Sequence, residues 1–159
     1  MPWAKLFPLI FREYLTEKEV DRLMQAAAKV GRHGHRDSTL ILMTYHHGLR
    51  VAELVVLQWD QVELDGGRLH VGRVKQGIPS VHPLRGPEIR ALRRLRREYP
   101  DSPYAFVTER RGPLTDSAVR KVVTRAGKKA GIASPVHPHM LRHATGYKLA
   151  NDGHDTRAI

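Results

Sequence analysis

His137-Pro138-His139-Met140-Leu141-Arg142-His143 is the stretch on which the reading of this chain turns. Pro138 suits the first turn of a helix, where its missing N–H leaves no gap in the hydrogen-bond ladder. A helix starting there puts His139, Arg142 and His143 on one face, at i, i+3 and i+4. A proton-transfer group and a permanent cation then sit side by side at a helix N-terminus, where orphan N–H groups already favour anions. That arrangement suits a phosphate. Taken alone, the same spacing also describes an ordinary surface helix with solvated His and Arg, so the rest of the chain has to decide.

Composition narrows the choice. A chain of 159 residues is expected to form one domain with a real core, here residues 15–159 behind an N-terminal tail, residues 1–14. Lys and Arg number 27 against 16 Asp and Glu, a formal charge of +11. That excess points to a polyanion, nucleic acid before membrane. The absence of cysteine excludes a disulfide framework, a thiolate zinc site and a cysteine nucleophile. No apolar run reaches membrane-spanning length. The opening eleven residues are broken by Pro2 and Pro8 and lack the charged start and cleavage site of a signal peptide, so a cytoplasmic protein is expected.

Upstream of the opening stretch, Thr16-Glu17-Lys18-Glu19 reads as a capping box, followed by Val20, Leu23, Met24 and Ala27 at helical spacing and stopped by Gly31. Asp37 is expected to cap a second helix over 38–47, with Leu40-Ile41-Leu42-Met43 deeply buried and Gly48 as its stop. A short helix follows from Arg50, so Arg50 lies at a junction between helices. Val62, Leu64, Leu69 and Val71 then alternate around the turn signal Asp65-Gly66-Gly67, and a further turn at Gln76-Gly77 leads into Ile78-Pro79-Ser80-Val81. This predicts three antiparallel strands with Lys75 at the tip of the second hairpin; a tip lysine also fits a plain solvated charge. Pro87 opens a helix with Ile89, Leu92 and Leu95 inward and Arg90, Arg93, Arg94, Arg96 and Arg97 outward. Ala105-Phe106-Val107-Thr108 reads as a short strand. Thr115 caps a helix with Val119, Val122, Val123 and Ala126 inside and Arg120, Lys121, Arg125, Lys128 and Lys129 on its surface. Either basic face could be an ordinary charged surface or one that tracks phosphates. The His139 helix is predicted to run to about Asn151. The fold class is α+β, mainly α, with a small three-stranded antiparallel sheet.

Gly48-Leu49-Arg50-Val51-Ala52-Glu53-Leu54 and His139-Met140-Leu141-Arg142-His143, with a hairpin lysine between them, resemble the G-L-R-x-x-E-L and H-x-L-R-H motifs of the tyrosine recombinase, or phage integrase, catalytic domain. Tyr45-His46-His47-Gly48 and Val81-His82-Pro83-Leu84 bring the resemblance nearest to the compact recombinases of fimbrial phase variation. The likeness runs over roughly residues 14–159.

The resemblance implies site-specific DNA recombination or integration, such as inversion of a promoter element. A tyrosine attacks the scissile phosphate of double-stranded DNA, giving a 3′-phosphotyrosine and a free 5′-hydroxyl, and the reverse step rejoins the strands without metal or cofactor. It further implies that Arg50 and Arg142 hold the non-bridging oxygens, for which permanently charged bidentate donors are suited. Lys75 takes the general-acid position, and His139 assists proton movement and bonds the phosphate. Glu53 orients Arg50 from behind, and His143 is a packing or hydrogen-bonding neighbour. Arg90, Arg93, Arg94, Arg97, Arg120, Lys121 and Arg125 are candidate DNA contacts. The implied setting is the bacterial cytoplasm, without a membrane partner, with self-association or an intact recombinase as the protein partner on DNA.

The family pattern also has an L-G-H-like segment and then the nucleophilic tyrosine, roughly thirty residues after the motif arginine. Only seventeen residues follow Arg142 here. Tyr147 reads as a core residue of the His139 helix, and Tyr14, Tyr45, Tyr99 and Tyr104 have no motif support, so no nucleophile is assigned. The expectation is a domain truncated before those motifs. The alternative function is a catalytically incomplete DNA-binding remnant that occupies sites or pairs with an intact recombinase. A helix-turn-helix regulator leaves Arg50, Lys75 and His139 unexplained. A zinc hydrolase at His139 and His143 lacks the glutamate that Met140 replaces. Loss of C-terminal cover is expected to leave an apolar patch at Leu141 and Leu149.

Overall fold

The computed structural model describes residues 14–72 and 79–151, with side chains of the last helix through residue 145. Leu15 is buried at the start of this region, against the core. Helix α1 (Glu17–Lys29) begins as its sequence predicts. The Thr16 hydroxyl accepts from the Glu19 N–H at 3.2 Å, and the Glu19 carboxylate accepts from the Thr16 N–H at 3.1 Å.

Helix α2 (Gly34–His47) is the central element. Ten of its fourteen residues are buried, and it packs against α1 and three helices described below. It starts four residues earlier than expected, and Asp37 is not its cap. Instead Asp37 is buried in the first turn, where Arg36 Nε and Nη2 donate to its Oδ1 at 2.9 and 2.8 Å. Arg36 also donates to the Val107 carbonyl at 2.9 Å. A buried ion pair with the acid at the positive end of the helix thus replaces a terminal cap. Gly48, at φ +61°, ends α2 in the left-handed region that glycine occupies without strain. Helix α3 (Val51–Val55) follows at once, with Leu54 and Leu57 in the core.

A 3-10 turn (Trp59–Gln61) leads into strands β1 (Val62–Glu63), β2 (Arg68–Val71) and β3 (Ser80–Pro83), an antiparallel sheet in the order β1-β2-β3. Val62 faces Leu69 and Val71 faces Ser80 across the ladders. The first turn falls where Asp65-Gly66-Gly67 predicts it, with Gly67 at φ +66°. The third strand lies two residues later than expected. Leu84 N–H donates to the Gly67 carbonyl at 2.8 Å, which carries pairing through Pro83. Lys75, Gln76, Gly77 and Ile78 lie outside the described residues.

Helix α4 (Gly86–Glu98) buries Leu92 and Leu95, with Ile89 half-buried beside them. The predicted strand over Ala105–Thr108 is absent. Ala105, Phe106 and Val107 are fully buried, yet only the isolated bridges Gln58–Tyr104 and Val107–Pro113 form there. Ala105 N–H donates to the Leu57 carbonyl at 2.9 Å, so the run enters the core as a loop whose polar groups are met one at a time. Helix α5 (Asp116–Lys129) is capped by Thr115, whose hydroxyl accepts from Ala118 N–H at 3.1 Å. Helix α6 (Pro138–Asn151) packs on α2, as α4 and α5 do. Its apolar face is not left open at Leu141: Met140, Leu141 and Ala144 are all buried, against the expectation of an exposed patch there. The Leu149 and Tyr147 side chains, and all of Asp155, lie outside the described residues. No described helix is long and apolar enough to cross a membrane.

Candidate phosphate-binding site

Arg50 occupies the N-cap position of α3 in extended conformation and is exposed. Its carbonyl accepts the first helical bonds, from Glu53 N–H at 2.9 Å and Leu54 N–H at 3.0 Å. Its own N–H donates to Glu53 Oε1 at 2.8 Å. Glu53 is buried, so it fixes the Arg50 backbone from the core side. The side chain leaves toward solvent, where a phosphate can reach it.

Arg142 comes to the same junction from α6. Its Nε donates to the Gly48 carbonyl at 2.8 Å, across 94 residues of chain. This bond sets the plane of a half-buried guanidinium beside the turn that delivers Arg50. Thr145, one turn further along α6 and buried, donates to the Tyr45 carbonyl and also lies 3.0 Å from the Leu141 carbonyl. α6 is therefore pinned to the C-terminal turn of α2 at two successive levels. A Cβ at Gly48 would stand 3.6 Å from Thr145 Cγ2 and 4.0 Å from Arg142 Cγ, which shows how closely the two elements meet.

His139 is exposed at the start of α6, one helical turn before Arg142. Its ring stacks on His137, with centroids 5.7 Å apart and planes within 7°, and meets His143 edge-on at 5.7 Å. Two imidazoles thus hold the orientation of the third. His143 is exposed and acts as that edge neighbour. Lys75 lies outside the described residues; the strands on either side of its segment pair through Val71 and Ser80. Among the described residues no three His, Asp or Glu side chains converge as metal ligands.

The basic residues proposed to contact DNA are all exposed: Arg90, Arg93, Arg94 and Arg97 on α4, and Arg120, Lys121 and Arg125 on α5. Several are in surface ion pairs, Arg93 with Asp65 at 3.1 Å, Arg94 with Glu98 at 2.9 Å and Arg120 with Asp116 at 2.6 Å. Such pairs are worth little and can open for a phosphate. Arg96, read from sequence as part of the outward face, lies 5.5 Å over the Trp59 ring.

One cluster at the C-terminal end of α2 joins the His46-His47 pair, quoted above for the resemblance, to Glu88, which no motif marks. Glu88, in the first turn of α4, is buried, and its two oxygens meet His46 Nδ1 at 2.5 Å and His47 Nε2 at 2.6 Å. Burial pushes its carboxyl up, but the two imidazole hydrogen bonds and charges outweigh burial and hold it at about 2. A signal was present: Glu88, Leu92 and Leu95 share the i, i+4, i+7 spacing of the inward stripe.

The Phage integrase family matches residues 13–159. "Type 1 fimbriae regulatory protein FimE" of Escherichia coli strain K12 is 42% identical over 154 residues, covering 93% of this chain and 77% of the relative. The crystal structure of XerA recombinase superposes with a TM-score of 0.79 at 29% identity, over 91% of this chain and 53% of that one. A lambda integrase fragment, solved as a dimer bound to a COC' core site, shares the fold, with a TM-score of 0.74 at 22% identity over 91% of this chain and 55% of that one. The match is nearly end to end and falls on the segments that converge around Gly48, so the chain belongs to the phage integrase family of tyrosine recombinases.

Proposed function

We propose that this chain acts in site-specific DNA recombination and that its described site is the cradle for the scissile phosphate. The observation that carries the reading is the Arg142 Nε to Gly48 carbonyl bond, which brings the two motif arginine segments to one junction. Guanidinium groups stay charged at any working pH and present donors in a planar fork, so a pair of them stabilises the extra negative charge of a five-coordinate phosphorus. His139, held by its ring neighbours, is placed for a proton or a hydrogen bond at a non-bridging oxygen. Lys75 is assigned the protonation of the leaving 5′-oxygen. The attacking tyrosine that the family pattern puts about thirty residues after Arg142 would fall past Ile159. These residues are proposed to supply phosphate binding and leaving-group chemistry. The alternative of a remnant that merely occupies sites has no observation in its favour.

Double-stranded DNA is the proposed partner, supported by the charge of +11 and the exposed arginines of α4 and α5. Self-association on that DNA is proposed by analogy with the dimeric lambda integrase complex. The expected result in a fluorescence titration with duplex DNA is a steep, linear fall of log affinity with log salt. Arg50→Ala should weaken binding to a nicked duplex by about ten-fold or more, the scale of one charge-assisted phosphate contact. Salt-insensitive binding, or an Arg50→Ala variant that binds the nick as the parent does, overturns the reading.

A further inference from the structure

His47 is the last residue of α2, immediately before the Gly48–Leu49–Arg50 turn. Its Nε2 faces Glu88, and its Nδ1 stands 3.0 Å from Nδ1 of His82 on β3, with ring centroids 5.1 Å apart. His82 Nε2 in turn lies 3.0 Å from the Ser80 hydroxyl. A continuous line of polar contacts therefore runs from β3 to α4 through the residue that precedes the arginine turn.

The chemistry of this line has few solutions. Glu88 is an anion with acceptors only, so His46 Nδ1 and His47 Nε2 both donate to it. The two facing Nδ1 atoms must then share a single proton. With both rings neutral, Ser80 donates to His82 Nε2, His82 Nδ1 donates to His47 Nδ1, and His47 donates to Glu88. Adding one proton to His47, beside the carboxylate, only reverses the direction: His47 Nδ1 donates to His82, and His82 Nε2 donates to Ser80. A second proton, on His82, sets two N–H groups against each other at 3.0 Å with like charge, and the contact must open. The ionisable groups against His47 are Glu88 from α4, His82 from β3 and His46 beside it, with Arg142 of α6 on the carbonyl of the next residue.

We propose that His47 and His82 are positioning residues whose shared proton ties strand β3 to the Arg50–Arg142 junction, and that double protonation in acid releases the strand. The tie itself is independent of the recombinase reading; its consequence for catalysis, alignment of the strand following the Lys75 segment with the arginines, rests on that reading.

Amide hydrogen exchange of the full chain without DNA tests it at about pH 8 and about pH 4.5, the lower value chosen because the second proton must enter beside a like charge. After correction for intrinsic rates, exchange of residues 80–83 should rise about ten-fold or more in acid relative to the 119–126 segment of α5. In His82→Gln, whose amide can donate to His47 but cannot titrate, that rise should vanish. Equal protection of β3 at both pH values, or a His82→Gln variant that keeps the wild-type response, overturns the proposal. Should His82→Gln not fold, the wild-type comparison decides by itself. Because DNA is absent, failure here leaves the phosphate cradle standing, and failure of Arg50→Ala to weaken DNA binding leaves the tie standing.

Discussion

Glu88→Ala should lower the unfolding free energy by about 3 kcal/mol near pH 7, the scale for removing one partner from a buried charged contact. Two imidazole N–H groups, that of buried His47 and that of the more exposed His46, lose an acceptor that is itself only 1% exposed, and a cavity opens where the carboxylate stood. The pH dependence carries a defined sign. In the fold the two imidazoles hold the carboxyl at about 2, below its ordinary 4.5, so folding favours the ionised form. The stabilisation is therefore complete above about pH 4.5 and lost as pH falls from there toward 2. Glu88→Gln keeps an acceptor but no charge, so its loss should be smaller and its acid limb flatter. Urea denaturation at pH 7 and between pH 5 and 2.5 reads both effects. A Glu88→Ala variant as stable as the parent at neutral pH would show that the imidazoles are solvated instead.

Arg142→Ala is expected to reduce affinity for a nicked duplex by about 10- to 100-fold, from 1.5–3 kcal/mol for charge-assisted hydrogen bonds to phosphate. The salt slope should fall by about one unit. Arg142→Lys separates charge from geometry. Lysine restores the positive charge, so the slope should recover. It cannot reproduce the planar fork or the Nε donation to the Gly48 carbonyl at 2.8 Å, so affinity should recover only in part. Titrations at two salt concentrations, with circular dichroism to confirm folding, check the pair of variants. Full recovery in Arg142→Lys would mean that the guanidinium plane is unimportant.

The legible parts of this chain are those whose physics is local. Thr16 and Thr115 cap their helices because a hydroxyl three residues before an orphan N–H needs no help from the rest of the fold. Gly48 stops α2 for the same reason, and H-x-L-R-H predicts its own helical face. The arginine junction was legible as a pair of motifs, though its mechanical link through the Gly48 carbonyl was not, since a backbone acceptor leaves no mark in sequence. Asp37 looked like a cap because aspartate favours that position; the partner that draws it inside, Arg36, contacts Val107 far along the chain. Ala105-Phe106-Val107 has the composition of a strand but meets only isolated bridges and no continuous ladder, and pairing is a tertiary fact. Glu88 carries no motif, and the partners that give it a role, His46 and His47, lie 42 and 41 residues upstream.

Gly48 bears on how tolerant this protein is to change. An alanine there has room, its nearest neighbours being 3.6 Å or more away, so crowding is not the obstacle. The obstacle is φ +61°, which an L residue holds at about 1–2 kcal/mol. The chain can relieve that penalty by rotating the peptide, but the rotation would swing the carbonyl away from Arg142 and re-aim Arg50 together. A drift at this position would thus lower the melting temperature by only a few degrees while scattering the two cations, and a screen that scores solubility alone would pass it as silent.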